Sequence, residues 1–263
     1  MQIGVFDSGL GGLAIANAIM ARLPDYDFLY LGDTKRVPYG VRSQATIHEF
    51  VGQAIQFLFD NDCQLVILAC NTASAESLRK TQQEYLPHNY PDRRVLGVII
   101  PTAEAALEQG SPSKVGVLAT PSTVESDAFG RELRRISPSS EPIQQAAPLL
   151  VPLIENDGLK YIGPVLDDYL APLQGADSIL LACTHYCLVK DMVRERVNVP
   201  VISEDEIIPE KTADYLTRHP EIDSKLAKGG RRRYCVTDVT DSYKKLARAL
   251  TGQDLPLELV NLE

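Results

Sequence analysis

The most restrictive feature of this sequence is a repeated unit: a short unbroken apolar run, a polar or glycine-containing turn, then an amphipathic segment. Residues 3–6 lead into Asp7-Ser8-Gly9, 28–31 into Gly32-Asp33, and 65–69 into Cys70-Asn71-Thr72. Further on, 95–100 end at Pro101, 115–119 at Thr120, 179–182 at Cys183-Thr184-His185, and 199–202 at Ser203-Glu204. Runs of this length without polar alternation suit strands buried on both faces of a parallel sheet. Between them, Ala16, Ile19, Met20 and Leu23 fall on one helical face, as do Val51, Ile55, Leu58 and Phe59. Strand alternating with helix predicts βαβ units and an α/β fold with open parallel sheets. Such crossovers bring the strand carboxyl ends to one edge, where ligands of open α/β sheets bind.

Two of the turns echo each other. Leu65-Val66-Ile67-Leu68-Ala69-Cys70-Asn71-Thr72 and Ser178-Ile179-Leu180-Leu181-Ala182-Cys183-Thr184-His185 each run from apolar residues through Ala-Cys to a nearby Thr. Their separation is about one domain length. The pairing predicts two similar open parallel-sheet α/β lobes with the active site in the cleft between them, one thiol on each side.

A cysteine in an apolar run is ordinarily a small core residue, which is the reading for Cys63 and Cys235. Cys70 and Cys183 instead sit just past strand ends, where a helix N-terminus is expected to lower a thiol's pKa. Two equivalent thiols facing one cleft suit proton transfer at a stereocentre, one acting as base and the other as acid. Nucleophilic catalysis would use one cysteine with a histidine and an orienting partner.

The glycine-rich turn Asp7-Ser8-Gly9-Leu10-Gly11-Gly12 fits neither G-x-G-x-x-G nor the P-loop, so dinucleotide binding is disfavoured. Its glycines would permit close backbone approach, with Asp7 pointing into the crevice. Cys183, His185 and Cys187 look like part of a metal clip, but no second CxxC or HxxxH segment completes one, and no metal is expected. His185 is better placed beside a thiol, whereas His48, His88 and His219 read as surface or helix-face residues.

Among its 263 residues the chain has a net charge of −9, against nonspecific nucleic-acid binding. Its one basic run, Arg231-Arg232-Arg233, reads as a solvated turn before a short strand. The longest apolar runs fall far short of the ~20 residues of a membrane span. The first residues, Met-Gln-Ile-Gly-Val-Phe-Asp, do not form a signal peptide, so a cytoplasmic location with five free thiols is expected. No long extension precedes the first strand, so an activator site built from one is not expected.

Four motifs in order carry a resemblance. Asp7-Ser8-Gly9-Leu10-Gly11-Gly12, Pro38-Tyr39-Gly40, Cys70-Asn71-Thr72-Ala73 and Cys183-Thr184-His185-Tyr186 resemble the glutamate racemase signatures of the aspartate/glutamate racemase family. That resemblance implies interconversion of L- and D-glutamate without a cofactor, supplying D-glutamate for peptidoglycan. It implies that Cys70 takes the Cα proton of the D-isomer and Cys183 that of the L-isomer, assisted by Asp7, His185 and Glu155. Asp7, Ser8, Pro38, Tyr39, Gly40, Cys70, Asn71, Thr72, Thr120, Thr123, Cys183, Thr184 and His185 would bind the substrate. The implied lobes are 1–96 with 204–263, carrying Asp7 and Cys70, and 97–203, carrying Glu155, Cys183 and His185. A small-molecule substrate, no nucleic acid or membrane partner, and a homodimer are expected.

The chain departs from the family pattern in two places. Gly97-Val98-Ile99-Ile100-Pro101-Thr102 stands where Gly-Val-Ile-Glu-Pro-Gly is usual, and Ala182 and Cys187 flank Cys183-Thr184-His185-Tyr186 in place of Gly and Pro. Cys187 reads as a packed thiol or, alternatively, an oxidisable neighbour of Cys183. Two rival readings stand beside the first: an aspartate racemase with the same paired-thiol chemistry, disfavoured by His185, and a racemase-fold protein with a regulatory, gyrase-binding role.

Overall fold

A computed structural model describes residues 1–108 and 113–262. Residues 109–112, within the span expected for the second lobe, and Glu263 lie outside the described residues. The strands are β1 (Gln2–Asp7), β2 (Phe28–Gly32), β3 (Cys63–Leu68), β4 (Arg94–Gly97), β5 (Lys114–Ala119), β6 (Glu141–Ala146), β7 (Ser178–Ala182), β8 (Val201–Ser203), β9 (Arg232–Val236) and β10 (Leu257–Leu259). They form two sheets, β10-β9-β2-β1-β3-β4 and β6-β5-β7-β8, with every recorded pairing parallel. The two-lobed parallel α/β fold is therefore as the apolar runs predict.

All seven expected strands are present, two of them shortened: β8 starts only at Val201 of the run 199–202. The run 95–100 spans a strand–helix junction: β4 stops at Gly97, and the helix Ile99–Glu108 follows, with Pro101 in its first turn. There proline fits, because its missing N–H would lack an intrahelical partner anyway. Two further strands lie in weaker patterns. β6 is polar and half-buried at a sheet edge, and β10 is a largely exposed edge strand. β9 begins inside the arginine run instead of after it. Those arginines are ties, not a free turn: Arg231 pairs with buried Asp27 at 2.7 Å, Arg232 donates to Pro24 O, and Arg233 meets Glu258 at 2.8 Å.

The two helical stripes face inward as expected, with Ala16, Ile19, Met20, Val51, Ile55, Leu58 and Phe59 buried in the helices Gly12–Arg22 and Gln44–Asp60. One core cluster runs through both sheets, joining Ile3 and Val5 of β1 to Leu118 of β5 and Ile179 and Leu181 of β7. The helix Glu204–Arg218 follows β8 and packs against Gly12–Arg22, so the chain that leaves the smaller sheet returns onto the larger one. In each sheet one central strand has neighbours reached in opposite directions: β1 lies between β2 and β3, and β5 between β6 and β7. These are topological switch points, where loops diverge and leave a crevice beyond the strand ends. Asp7 and Cys70 mark the first, and Thr120 and Cys183 the second. Among the described residues no helix is long and apolar enough to cross a membrane.

Candidate active site

One cavity is lined by residues from both switch points, including Ser8, Pro38, Tyr39, Gly40, Cys70, Asn71, Thr72, Thr120, Glu155, Cys183, Thr184 and His185. Asp7 and Thr123 are fully buried behind its wall. Thr123 Oγ1 lies 3.0 Å from Thr120 Oγ1 and 3.4 Å from Thr72 Oγ1, so it supports two lining hydroxyls. The sequence reading missed an apolar side of the cavity made by Val37, Val41, Pro121, Ala147, Pro148, Val151 and Pro152. Four of these follow β6, and the strand-end rule would have found them had that polar strand been recognised.

Cys70 caps the helix Asn71–Lys80. Its sulfur accepts from Ala73 N at 3.4 Å and donates to Ser8 Oγ at 3.3 Å. Cys183 precedes a short 3-10 segment, and its sulfur lies 4.0 Å from His185 Nδ1. The expected fall in thiol pKa is reversed. Burial, with the Asp7 charge nearby, pushes Cys70 up to about 12 despite the helix N-terminus. Burial also raises Cys183 well above the usual thiol value, against the backbone hydrogen bond of His185. Desolvation outweighs the dipole because both sulfurs are almost wholly covered in this closed cleft.

Each thiol has a proton-handling group nearby. His185 Nε2 meets Glu155 Oε1 at 2.8 Å, although 30 residues separate them. Burial would lower the His185 pKa, but the Glu155 hydrogen bond and charge, with Asp7, raise it. Asp7 accepts from Gly9 N at 3.1 Å and from Thr184 Oγ1 at 3.3 Å, and burial raises its pKa. Its carboxylate is thus turned toward Thr184, not into open crevice. The glycine turn explains this packing. A Cβ on Gly11 would lie 2.5 Å from both His185 Nδ1 and Thr184 Oγ1, and one on Gly12 2.5 Å from Asp7 Cβ. The glycines let three side chains crowd the turn.

The Pro38-Tyr39-Gly40 wall is held from behind. Asp33 receives Arg36 Nε at 2.6 Å, Thr237 Oγ1 at 2.9 Å and the Tyr39 hydroxyl. Tyr39 therefore presents its flank to the cavity while its hydroxyl is engaged elsewhere. Of the departing residues, Ile100 is exposed and Thr102 is buried. Cys187 is a free, half-buried thiol that burial raises to about 12, the behaviour of a packed residue. Cys63 and Cys235 are buried and free, as expected for core thiols.

Residues 13–207 match the family model described as Asp/Glu/Hydantoin racemase. The chain belongs to the Asp/Glu/hydantoin racemase family. Within it, the chain is 39% identical over 266 residues to a glutamate racemase from Neisseria gonorrhoeae, covering 99% of this chain and 96% of that protein. A glutamate racemase structure from Bacillus anthracis superposes with a TM-score of 0.90 at 29% identity, covering 99% of this chain and 97% of the other. A glutamate racemase from Francisella tularensis, solved in complex with D-glutamate, gives 0.89 at 29% identity, covering 100% and 98%. The four motifs of this racemase-family chain all border or support the one cavity.

Proposed function

We propose that the chain is a glutamate racemase that interconverts L- and D-glutamate by proton transfer between Cys70 and Cys183, supplying D-glutamate for peptidoglycan. One observation carries the mechanism: two thiols from the switch points of two different sheets line one cavity, Cys183 beside His185 and Cys70 within reach of the Asp7 charge. The likeness to glutamate racemases, one of them solved with D-glutamate, supports the substrate.

In the D-to-L direction, the Cys70 thiolate takes the Cα proton. The electron pair left on Cα spreads into the adjacent carboxylate. The Cys183 thiol then gives its proton to the opposite face, leaving L-glutamate, a Cys70 thiol and a Cys183 thiolate. The reverse reaction runs the same steps from Cys183. Burial favours the protonated thiols, so each thiolate needs a base beside it. For Cys183 that base is His185 Nδ1, with Glu155 stabilising the imidazolium at Nε2. For Cys70 it is Asp7: protonating Asp7 removes the nearby charge that opposes the thiolate. Ser8, Asn71, Thr72, Thr120 and Thr184, with the Pro38-Tyr39-Gly40 wall, would hold the amino acid's polar ends, with Thr123 as their support.

We assign the lobes as 1–96 with 204–263 and 97–203, and the enzyme as a cytoplasmic homodimer. Light scattering after size exclusion tests the last point. Activity is tested by incubating each glutamate enantiomer with the enzyme in deuterated water. Inversion with deuterium at Cα is expected, and both Cys70→Ser and Cys183→Ser abolish inversion. Full activity in either variant removes that cysteine from the mechanism. Turnover of aspartate alone would favour the aspartate reading, and no turnover of either would favour a regulatory one.

A further inference from the structure

Glu204 is a buried carboxyl group that the two-thiol mechanism does not use. It opens the helix Glu204–Arg218, where the chain leaves β8 of the smaller sheet and returns toward the larger one. Its side chain is 2% exposed. Oε2 accepts from Asn71 Nδ2 at 2.8 Å, and Oε1 lies 3.5 Å from Thr102 Oγ1. Thr102 belongs to the helix Ile99–Glu108, which begins where the chain first passes from β4 toward the smaller sheet. One carboxyl group therefore meets both crossings between the sheets and the residue that follows Cys70.

Counting hydrogens defines this cluster. The Thr102 hydroxyl has one hydrogen and gives it to Val98 O at 2.7 Å. Its longer contact with Glu204 is best filled by a hydrogen carried on Oε1. Oε2 is then a plain acceptor for the Asn71 amide. Burial favours the same neutral form, pushing Glu204 up to about 8. The Asn71 NH2 is thereby committed to Glu204, and its other end, Oδ1, is left as an acceptor. Oδ1 is buried and has no hydrogen-bond partner among the described residues, while Asn71 lines the cavity beside Cys70. An α-amino acid bound there carries its N–H donors on one group only, the ammonium.

We propose that Glu204 is a positioning residue for this reaction: it turns the Asn71 carboxamide so that Oδ1, and not the NH2, meets the substrate's ammonium group. The inference rests on the racemase reading of the cavity. An inverted amide would set two donors against a cation. The loss of Glu204 is therefore felt in amino-acid binding more than in the proton-transfer step.

The test is a binding cycle on the full chain, with D-glutamate as the probe, titrated calorimetrically, and circular dichroism to verify folding. Glu204→Ala should weaken binding about tenfold. Glu204→Gln can still accept from Asn71 and donate to Thr102, so it should recover binding to within about threefold of the parent. Asn71→Ala should itself weaken binding, and adding Glu204→Ala should then cost less than about twofold more, because the two act through one contact. If Glu204→Ala does not fold, Glu204→Leu fills the same volume without an acceptor. The proposal is overturned by Ala and Leu variants that bind like the parent, by a Gln variant as weak as Ala, or by losses that multiply with Asn71→Ala. A parent protein that binds D-glutamate but inverts neither enantiomer would instead defeat the racemase reading, while the cycle still reports the Asn71–Glu204 coupling.

Discussion

His185 sets Nε2 2.8 Å from Glu155 Oε1 and Nδ1 4.0 Å from the Cys183 sulfur, so a single ring links a carboxylate to a thiol. Glu155 supplies the charge that holds the His185 pKa up against its burial. Glu155→Gln keeps the shape and removes that charge. The imidazolium that accompanies a Cys183 thiolate then loses its counter-charge. We expect kcat/KM to fall by about 10²-fold. The fall should be the same from either enantiomer, because mirror-image substrates have equal free energies in water. Polarimetric rates from both directions check this, and an unchanged kcat/KM would take Glu155 out of the proton path.

The pH dependence of the rate follows from the raised thiols. Burial, with Asp7 beside it, places Cys70 at about 12, and burial also lifts Cys183. The reactive form needs one sulfur deprotonated. A raised pKa makes that form scarce at neutrality and more abundant as pH rises. We therefore expect kcat/KM to climb from about pH 6 to about pH 8, without an intervening fall. A maximum below neutrality in buffered rate measurements would contradict the thiols as the titrating bases.

The positions of the two thiols were legible in the sequence, because an apolar run ending in Ala-Cys is both a strand and its end. Their pKa values were not. The position of Cys70 at a helix start is a local property, whereas its desolvation depends on packing among residues far apart in the sequence. The His185–Glu155 pair was reachable only through the family resemblance, since no local pattern joins residues 30 apart. Glu204 read as part of a polar turn after 199–202, and only the path of the following helix buries it between Asn71 and Thr102. β6 was missed for a related reason: Glu141-Pro142-Ile143-Gln144-Gln145-Ala146 is an edge strand, half-buried, with too little apolar content to stand out. Residues 95–100 were overread because Ile99 is buried from a helix that continues the apolar run of the strand.

The glycine turn gives a prediction that separates backbone from side-chain causes. Gly11 has φ −54° and ψ −37°, ordinary helical values that alanine adopts freely. The obstacle to alanine is lateral: its Cβ would sit 2.5 Å from His185 Nδ1 and Thr184 Oγ1. Gly11→Ala should therefore displace the ring beside Cys183 and cut kcat/KM by about 10²-fold, the scale of a misplaced catalytic group. Gly52, in the helix Gln44–Asp60, is the control, because a Cβ added there would meet nothing within 4 Å. Gly52→Ala should keep full activity and gain about 0.5–1 kcal/mol in stability. Equal activity in the two variants would show that the turn tolerates a methyl group and that His185 is not held by it.

Beside its backbone ladder to β2, the strand that extends the larger sheet is fastened at its start by one buried carboxylate. Asp27 is 1% exposed and receives Gly229 N at 3.0 Å, Arg231 N at 3.0 Å and Arg231 Nε at 2.7 Å. Burial alone would raise its pKa, but the Arg231 and Gly229 hydrogen bonds and the Arg231 charge outweigh it and leave the pKa lowered. The folded protein then binds this proton more weakly than the unfolded chain does. Ionised Asp27 accordingly contributes stability that is complete above the unfolded carboxyl value of about 4 and is lost as pH falls through the lower folded value. Asp27→Asn keeps one acceptor and loses the charge. At neutral pH it should destabilise the protein by about 1–3 kcal/mol. Urea unfolding at a series of pH values should show that deficit shrinking as the parent's Asp27 becomes protonated. A deficit that stays constant through the acid range would mean that the geometry of the contact, and not its charge, fastens β9 to β2.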